Sequence, residues 1–224
     1  MKLTTDVKLL IGVGLFTAIV VVAAAFTIGN KPSKKDQEQK VLGESQMKIL
    51  LRKDTHLAGA SRTEVTVVEF GDFQCPACAV AYQVVNQIKK KYEGKVRFAF
   101  REFPLMAHKN GYSSALAAET AGGQGMFWEM HDMLYDNQKE WSDRNDAIDI
   151  FTSYAKKIGI DADKFKKDVE DKKYDAKIQN DLKDGNMLGV NATPTFFING
   201  KKYSGVLAYD IFKSMIESEL KKGK

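Results

Sequence analysis

Residues 65–78 read VTVVEFGDFQCPAC, and this stretch decides the fold. The β-branched run over 65–70 predicts a buried strand, and the residues after it predict a turn. Pro76 is suited to the first turn of a helix, which we expect to continue to about Tyr92. Both cysteines of the chain therefore fall where a strand passes into a helix, and this placement is more specific than the letters CPAC alone.

The rest of the chain extends this strand and helix into an α/β domain. A second strand is expected over 95–103, followed by a block of helices and then a hairpin of strands at 194–198 and 201–205, joined by Asn-Gly. The helices of the block are expected near 110–121, 125–137, 146–158, 161–170 and 174–187, with a final helix over 209–221. Strand, helix, strand implies a parallel pair, whereas the hairpin adds antiparallel strands, so the central sheet should be mixed.

Composition excludes several classes of protein. The 224 residues are 44% hydrophobic and 28% charged, which is a globular composition. Two cysteines cannot staple a disulfide-rich scaffold. Of the net charge of +5, residues 1–52 contribute +4 (eight basic and four acidic residues), and residues 53–224 contribute +1 (26 and 25). Because the body is nearly neutral, we expect no nucleic-acid partner.

The N-terminal segment indicates where the protein is found. Residues 9–28, LLIGVGLFTAIVVVAAAFTI, carry no charge, and 20 helical residues span about 30 Å, the thickness of a bilayer core. We interpret 1–29 as a transmembrane anchor, with a cleaved signal peptide as the alternative. Residues 30–52 are then a polar juxtamembrane linker and residues 53–224 the folded domain. Both alternatives send this domain out of the cytoplasm.

The two cysteines have the spacing of a redox pair. Cys75 lies at the start of the helix, where free N–H groups and the helix dipole favour a thiolate, and Cys78 lies one turn further in. The pair can therefore cycle between dithiol and disulfide, with no metal and no dissociable cofactor. Half of a zinc site is one alternative, but the three histidines do not stand at ligand spacing. A static disulfide is the other, but its short loop would constrain the unfolded chain little.

Four stretches together resemble the DsbA-like branch of the thioredoxin superfamily, the membrane-anchored or secreted bacterial thiol-disulfide oxidoreductases. They are VTVVEFGDFQCPAC (65–78), VRFAFREFPL (96–105), GMFWEMHDMLYDNQ (125–138) and GVNATPTFFINGKKYSG (189–205). The resemblance covers the chain from about residue 55 to its end. It implies a thioredoxin-like fold with a mixed sheet, in which residues of about 106–188 form the helical insertion.

The resemblance also implies roles for single residues. Cys75 matches the exposed nucleophile and Cys78 the buried resolving thiol. Pro194, after Thr193, matches the cis-proline that faces the cysteine pair, beside which the substrate chain pairs as an added strand. The expected substrate contacts are Thr193, Pro194, Pro76 and Ala77. Strongly oxidising members have histidine where this chain has Ala77, so we expect the pKa of Cys75 to be lowered, but less than in those members.

Glu69 is the remaining candidate site residue. Strand alternation places it on the face of Val65 and Val67, six residues before Cys75, where family members often hold a buried acid. A buried carboxyl would have a raised pKa and take the proton of Cys78, so E69Q should slow the resolution of mixed disulfides. The alternative is an acid at the strand end that reaches water.

These observations predict a protein thiol-disulfide oxidoreductase that promotes disulfide bond formation. The alternatives are a disulfide reductase or isomerase, and a membrane-tethered chaperone or assembly factor on the same scaffold. The expected partners are exported proteins with cysteines, a membrane redox partner protein, and the membrane itself through the N-terminal helix. The domain is expected to be a monomer outside the cytoplasm, in the periplasm or at the cell surface, or secreted if the N-terminal segment is cleaved.

Overall fold

The computed structural model of the chain describes residues 41–61 and 63–222. These residues belong to one compact unit that begins at Lys40. The apolar span expected over 9–28 lies outside the described residues. Within them, no helix combines the length and the apolar character that crossing a membrane requires.

Five strands form one mixed sheet within the described residues. They are β1 His56–Gly59, β2 Val65–Gly71, β3 Val96–Glu102, β4 Thr195–Ile198 and β5 Lys201–Ser204. Their order across the sheet is β1-β3-β2-β4-β5. The central pair β2 and β3 is parallel, as the sequence predicts, and the other neighbouring strands are antiparallel.

The helices expected from the sequence are present. The four-residue strand β1 and a four-residue helix, α5, were not predicted. The helices are α1 Glu44–Leu50, α2 Pro76–Lys91, α3 Gly111–Gly122, α4 Phe127–Asp136, α5 Gln138–Trp141, α6 Ala147–Lys157, α7 Ala162–Glu170, α8 Asp175–Met187 and α9 Tyr209–Lys222. Asp161 caps α7 by accepting a hydrogen bond from the backbone N–H of Lys164 at 2.9 Å. The insertion between β3 and β4 is thus entirely helical in its regular structure, which confirms the predicted α/β class.

Residues just before position 53 are part of the folded unit. Leu50, in α1, is buried and packs in one apolar cluster with Val68, Phe70 and Phe197 of the sheet. The segment assigned to the linker therefore supplies core residues from α1 onward. Its polar N-terminal part lies outside the described residues.

A buried arginine joins α1, the sheet and the insertion. Arg101 of β3 is fully buried, and its guanidinium donates to Asp181 at 2.8 Å and to Asp184 at 2.7 Å, both on α8. It also donates to the carbonyl oxygens of Ile49 at 2.8 Å and Leu50 at 3.0 Å. Because a buried charge is tolerated only when it is paired, this network fixes the position of α8 against β3.

Candidate active site

The redox pair lies at the junction of β2 and α2. Cys75 is the N-cap residue of α2, and its backbone N–H donates to the carbonyl oxygen of Asp72 at 3.0 Å. Pro76 follows as the first helical residue, where its missing N–H has no intrahelical partner in any case. Cys78 is fully buried, as the resemblance implies, but Cys75 is only 6% exposed, so the expected exposed position of the nucleophile is wrong in this dithiol form, in which both cysteines are free thiols.

Polar side chains hold the loop in front of Cys75 in one conformation. The buried carboxylate of Asp72 accepts from the backbone N–H of Gln74 at 2.8 Å and from His108 Nδ1 at 2.6 Å. Gln138, from α5, donates to the carbonyl oxygens of Phe73 at 2.6 Å and Cys75 at 3.0 Å. The helical insertion therefore supports the backbone of the redox loop directly.

The structure brings Thr193 and Pro194 to the cysteine pair across more than 110 residues of sequence. The Thr193–Pro194 peptide bond is cis, and β4 begins at the next residue. Cys75 Sγ lies 3.5 Å from the carbonyl oxygen of Thr193, to which the thiol form of Cys75 donates a hydrogen bond. This contact places the N-terminal side of Pro194 against the sulfur of Cys75, as the resemblance implies.

The two sulfurs are electrostatically unlike. The Cys78 thiol, the nearby Thr193 side chain and the backbone N–H groups of Cys78 and Ala77 lower the pKa of Cys75 to about 5 against the opposing effect of burial. Burial raises the pKa of Cys78 well above its usual value, and the neighbouring Cys75 and Glu69 add to the rise. Near pH 7, Cys75 is therefore a thiolate and Cys78 a thiol.

Glu69 is buried behind this pair. It lies within β2, is 6% exposed, and its Oε1 atom has no hydrogen-bond partner among the described residues. The alternative that its carboxyl reaches water at the strand end is wrong, because α2 and α4 cover this part of the sheet. Burial raises the pKa of Glu69 to about 8, while the positive charge of Lys89 opposes the rise and Cys75 adds to it.

The other residues considered from the sequence have clear positions. Pro76 is exposed and Ala77 partly exposed, so both border the mouth of the site. His131 lies in the core with its Nδ1 atom 2.8 Å from Asp132 Oδ1, and burial lowers its pKa to about 4. In residues 41–61 and 63–222 no group of three or more His, Cys, Asp or Glu residues could hold a metal ion.

Asp72 and Gln138 are functional candidates that the sequence analysis missed. Asp72 lies in the predicted turn. Aspartate side chains in turns commonly accept a hydrogen bond from the backbone N–H two residues later, so this role of Asp72 could have been predicted from the sequence. Gln138 acts across 63 residues of sequence, and no local pattern reveals that contact.

Comparison with known proteins agrees with this geometry. The family model described as thioredoxin matches residues 52–218. The crystal structure of oxidised BdbD from Bacillus subtilis is 29% identical, with a TM-score of 0.68 over 75% of this chain and 93% of that chain. The structure of alpha-DsbA1 from Wolbachia pipientis is 25% identical, with a TM-score of 0.71 over 80% of this chain and 96% of that one.

The curated relatives that match are much longer proteins. One is a Na(+)/H(+) antiporter, NhaA 1, from Salinispora arenicola, which is 34% identical over 164 residues. The match covers 73% of this chain but 24% of the antiporter, so the chain spans about a quarter of the length of the curated relatives it matches.

Proposed function

We propose that this chain, which belongs to the thioredoxin family, is a DsbA-like protein thiol-disulfide oxidoreductase that promotes disulfide bond formation in proteins outside the cytoplasm. The observation that carries the proposal is the contrast between the two sulfurs. Cys75 is held as a thiolate at the mouth of the site, and Cys78 is held as a buried thiol beside Glu69.

The oxidation of a substrate begins on the disulfide form. A substrate thiolate attacks Cys75 Sγ, the Cys75–Cys78 bond breaks, and its electron pair leaves on Cys78. Glu69, which holds a proton near pH 7, gives that proton to the Cys78 thiolate. A second substrate thiolate then attacks the substrate sulfur of the mixed disulfide, and Cys75 leaves as a thiolate. The substrate gains one disulfide, and the protein is left with two reduced cysteines.

The low pKa of Cys75 supports this direction. A thiol of low pKa is a good leaving group, so the final step is favoured and the reduced protein is stabilised. The value of about 5 lies between those typical of thioredoxin, about 7, and of DsbA, about 3.5. The side chain of Ala77 supplies neither charge nor a donor, so the thiolate depends on the backbone N–H groups and the other groups that surround it.

Thr193 and Pro194 are proposed to position the substrate. The backbone before Pro194 lies against Cys75, and a substrate chain laid there in extended form would present its cysteine to Cys75 Sγ. Pro76 and Ala77 border the same approach. The expected substrates are exported proteins with cysteines.

A cycle of this kind needs an electron acceptor and an oxidising compartment. The uncharged run over 9–28 supports a domain delivered outside the cytoplasm, where disulfides persist. We propose that a membrane redox partner reoxidises the pair by accepting its two electrons. The antiporter activity of the longer relatives is not carried over to this chain.

The reduction potential of the pair tests the proposal. We would equilibrate the full-length chain in glutathione buffers and follow the Cys75–Cys78 disulfide by alkylation. A potential well above the thioredoxin value of about −270 mV supports the oxidase. A potential near or below that value would contradict it and favour a reductase or isomerase. The C75S variant lacks the nucleophilic thiol. If it kept the full activity of the wild type on its protein substrates, the protein would be a chaperone instead.

A further inference from the structure

Asp72 is connected to both cysteines through its main chain. Its carbonyl oxygen accepts a hydrogen bond from the backbone N–H of Cys75 at 3.0 Å. Its own backbone N–H faces the sulfur of Cys78, where it opposes the rise in pKa that burial causes. A movement of Asp72 would therefore change the surroundings of both sulfurs, and whatever holds this residue in place affects the chemistry of the pair.

The carboxylate of Asp72 is anchored by three donors. It is fully buried, and its Oδ1 atom accepts from the backbone N–H of Gln74 at 2.8 Å, within the redox loop of residues 72–75. Its Oδ2 atom accepts from the backbone N–H of Leu105 at 2.8 Å and from Nδ1 of His108 at 2.6 Å. Both of these residues belong to the loop of residues 103–110, which joins β3 to α3. One carboxylate thus connects the redox loop to the β3–α3 loop.

The start of α3 leaves room for this carboxylate because its first residue is a glycine. A Cβ atom at Gly111 would lie 3.1 Å from each carboxylate oxygen of Asp72 and 3.2 Å from Cβ of His108, which is tighter than ordinary van der Waals contact. The N-terminal end of a helix also favours a negative charge. Hydrogen bonds, close packing and charge therefore hold the carboxylate in one position.

His108 provides the only one of these three donors that comes from a side chain. Its backbone N–H donates to the carbonyl oxygen of Leu105 at 3.0 Å, which closes a turn that directs both residues at the same carboxylate oxygen. A hydrogen bond to a carboxylate is stronger than one between neutral groups. A substitution at position 108 therefore removes a strong anchor of Asp72 without altering a backbone donor.

We propose that His108 is a positioning residue for the redox pair. Through the carboxylate of Asp72 it holds the redox loop so that Cys75, the N-cap residue of α2, stays where the N–H groups of the first helical turn stabilise its thiolate. A stabilised thiolate favours the reduced protein, so the histidine makes the Cys75–Cys78 disulfide a stronger oxidant. It acts through Asp72 rather than on either sulfur.

Other contacts keep the redox loop folded when this anchor is removed. Gln138 still donates to two carbonyl oxygens of the loop, and the backbone N–H groups of Gln74 and Leu105 still bond to Asp72. Loss of the histidine is therefore expected to loosen the position of Asp72 and not to unfold the site. Partial loss of one hydrogen bond to an ionised group corresponds to about one pKa unit, which sets the size of the expected effect.

The test compares H108L with H56L. His56, in β1, is a matched control because it also pairs with a buried carboxylate, that of Glu119 in α3, at 2.8 Å, and its side chain is 21% exposed against 22% for His108. That carboxylate bonds to His56 and Lys177 rather than to the redox loop. We would titrate the Cys75 thiolate in the full-length protein by absorbance near 240 nm, and measure the reduction potential of the pair in glutathione buffers.

We expect the thiolate midpoint to rise by about one pH unit in H108L. At pH 7 the reduced form then becomes about tenfold less favourable, which lowers the reduction potential by about 30 mV. H56L is expected to lose stability but to keep both values. H108N places an amide donor near the position of Nδ1, so it is expected to restore both values to those of the wild type.

Three results would overturn the role of His108. They are equal shifts in H108L and H56L, no shift in H108L, and a shift in H108N as large as that in H108L. The last result would mean that the ring or its charge is responsible and not the hydrogen bond. If H108L does not fold, H108A removes the same donor and is expected to show the same rise; an unshifted H108A midpoint would contradict the inference.

This inference rests on the proposed function, but the two can fail separately. A wild-type reduction potential near or below that of thioredoxin would contradict the oxidase, while the difference between H108L and H56L would still report on His108. Conversely, equal values for H108L and H56L would remove the role of His108 and leave the oxidase intact.

Discussion

Burial of Glu69 makes a quantitative prediction about stability and pH. In the unfolded chain its carboxyl titrates near 4.5, whereas in the folded protein burial raises the pKa to about 8. Between these values the folded protein keeps a proton that the unfolded chain has released. The free energy of unfolding of the wild type therefore falls as pH rises through this range, because unfolding releases that proton.

The magnitude follows from the two pKa values. A shift of about 3.5 units, at about 1.36 kcal/mol per unit, corresponds to at most about 5 kcal/mol. In E69Q the amide cannot ionise, so this loss is absent. We expect the difference in unfolding free energy, E69Q minus wild type, to grow by up to about 1.4 kcal/mol per pH unit from pH 4.5 to about 8, and to level off above that.

The ionisation of Cys75 changes the unfolding free energy with pH in the opposite direction to that of Glu69. The difference in unfolding free energy between E69Q and wild type is therefore more informative than the curve of either protein alone. The pKa of its thiol is lowered to about 5 in the folded protein, so its contribution to stability is present above the unfolded value and is lost as pH falls through about 5. In the reduced wild type the two slopes partly cancel over pH 5 to 8. Reduced E69Q should therefore become more stable as pH rises through this range.

Urea denaturation of both reduced proteins between pH 4.5 and 9, followed by tryptophan fluorescence, measures this difference. The control is E93Q, which makes the same change at an exposed position in the turn after α2. A difference between E69Q and wild type that stays constant over this range would refute the argument. It would mean that the Glu69 carboxyl reaches solvent in the folded protein.

Two other changes test the thiolate and the buried network. C78A removes the largest stabilising hydrogen bond to the Cys75 thiolate, and a hydrogen bond to a charged group contributes about 1.5–3 kcal/mol, so the pKa of Cys75 should rise by about one to two units. Thiolate absorbance near 240 nm measures it, and an unmoved midpoint would rule out Cys78 as the main donor. R101M removes the fully buried partner of Asp181 and Asp184, leaving them only the longer pairs with Lys177 at 3.2 Å and Arg52 at 3.4 Å, and should destabilise the protein by about 3 kcal/mol in urea. R144M breaks only an exposed pair and should cost less than about 1 kcal/mol; equal losses would contradict this account of the buried network.

The sequence predicted the fold where the apolar pattern is strong. The fully buried strand β2 appears as a continuous β-branched run, and helices α4, α6 and α7 of the insertion have amphipathic patterns, whereas α3 is buried on nearly all sides and is marked by its alanines and flanking glycines. β1 was missed because its four residues, HLAG, alternate between partly buried and exposed at the edge of the sheet and form no apolar run. Helix α5 is a single turn of four residues, too short for a periodic signal.

The same reasoning explains which parts of the site were found. Cys75, Cys78, Thr193 and Pro194 stand in short motifs, so their identity could be predicted, and the fold then brings them together. His108 stands outside these motifs, in a loop where the sequence alone indicates a surface residue. Its contact with Asp72 joins residues that are 36 positions apart in the chain. Contacts of this kind arise only from tertiary packing.

This chain has Ala77 where the strongly oxidising members of the family have histidine, and this difference explains how the Cys75 thiolate is stabilised here. A histidine there would stabilise the thiolate from within the helix turn. In this chain the stabilisation comes instead from the Cys78 thiol, from Thr193 on the opposite loop and from backbone N–H groups. The Cys78 contribution exists only in the reduced protein, because in the oxidised form the two sulfurs are bonded to each other, and the Thr193 contribution depends on the position of the loop that the substrate contacts. The thiolate is therefore most stable when the protein is reduced and the substrate has left, which favours release of the oxidised product.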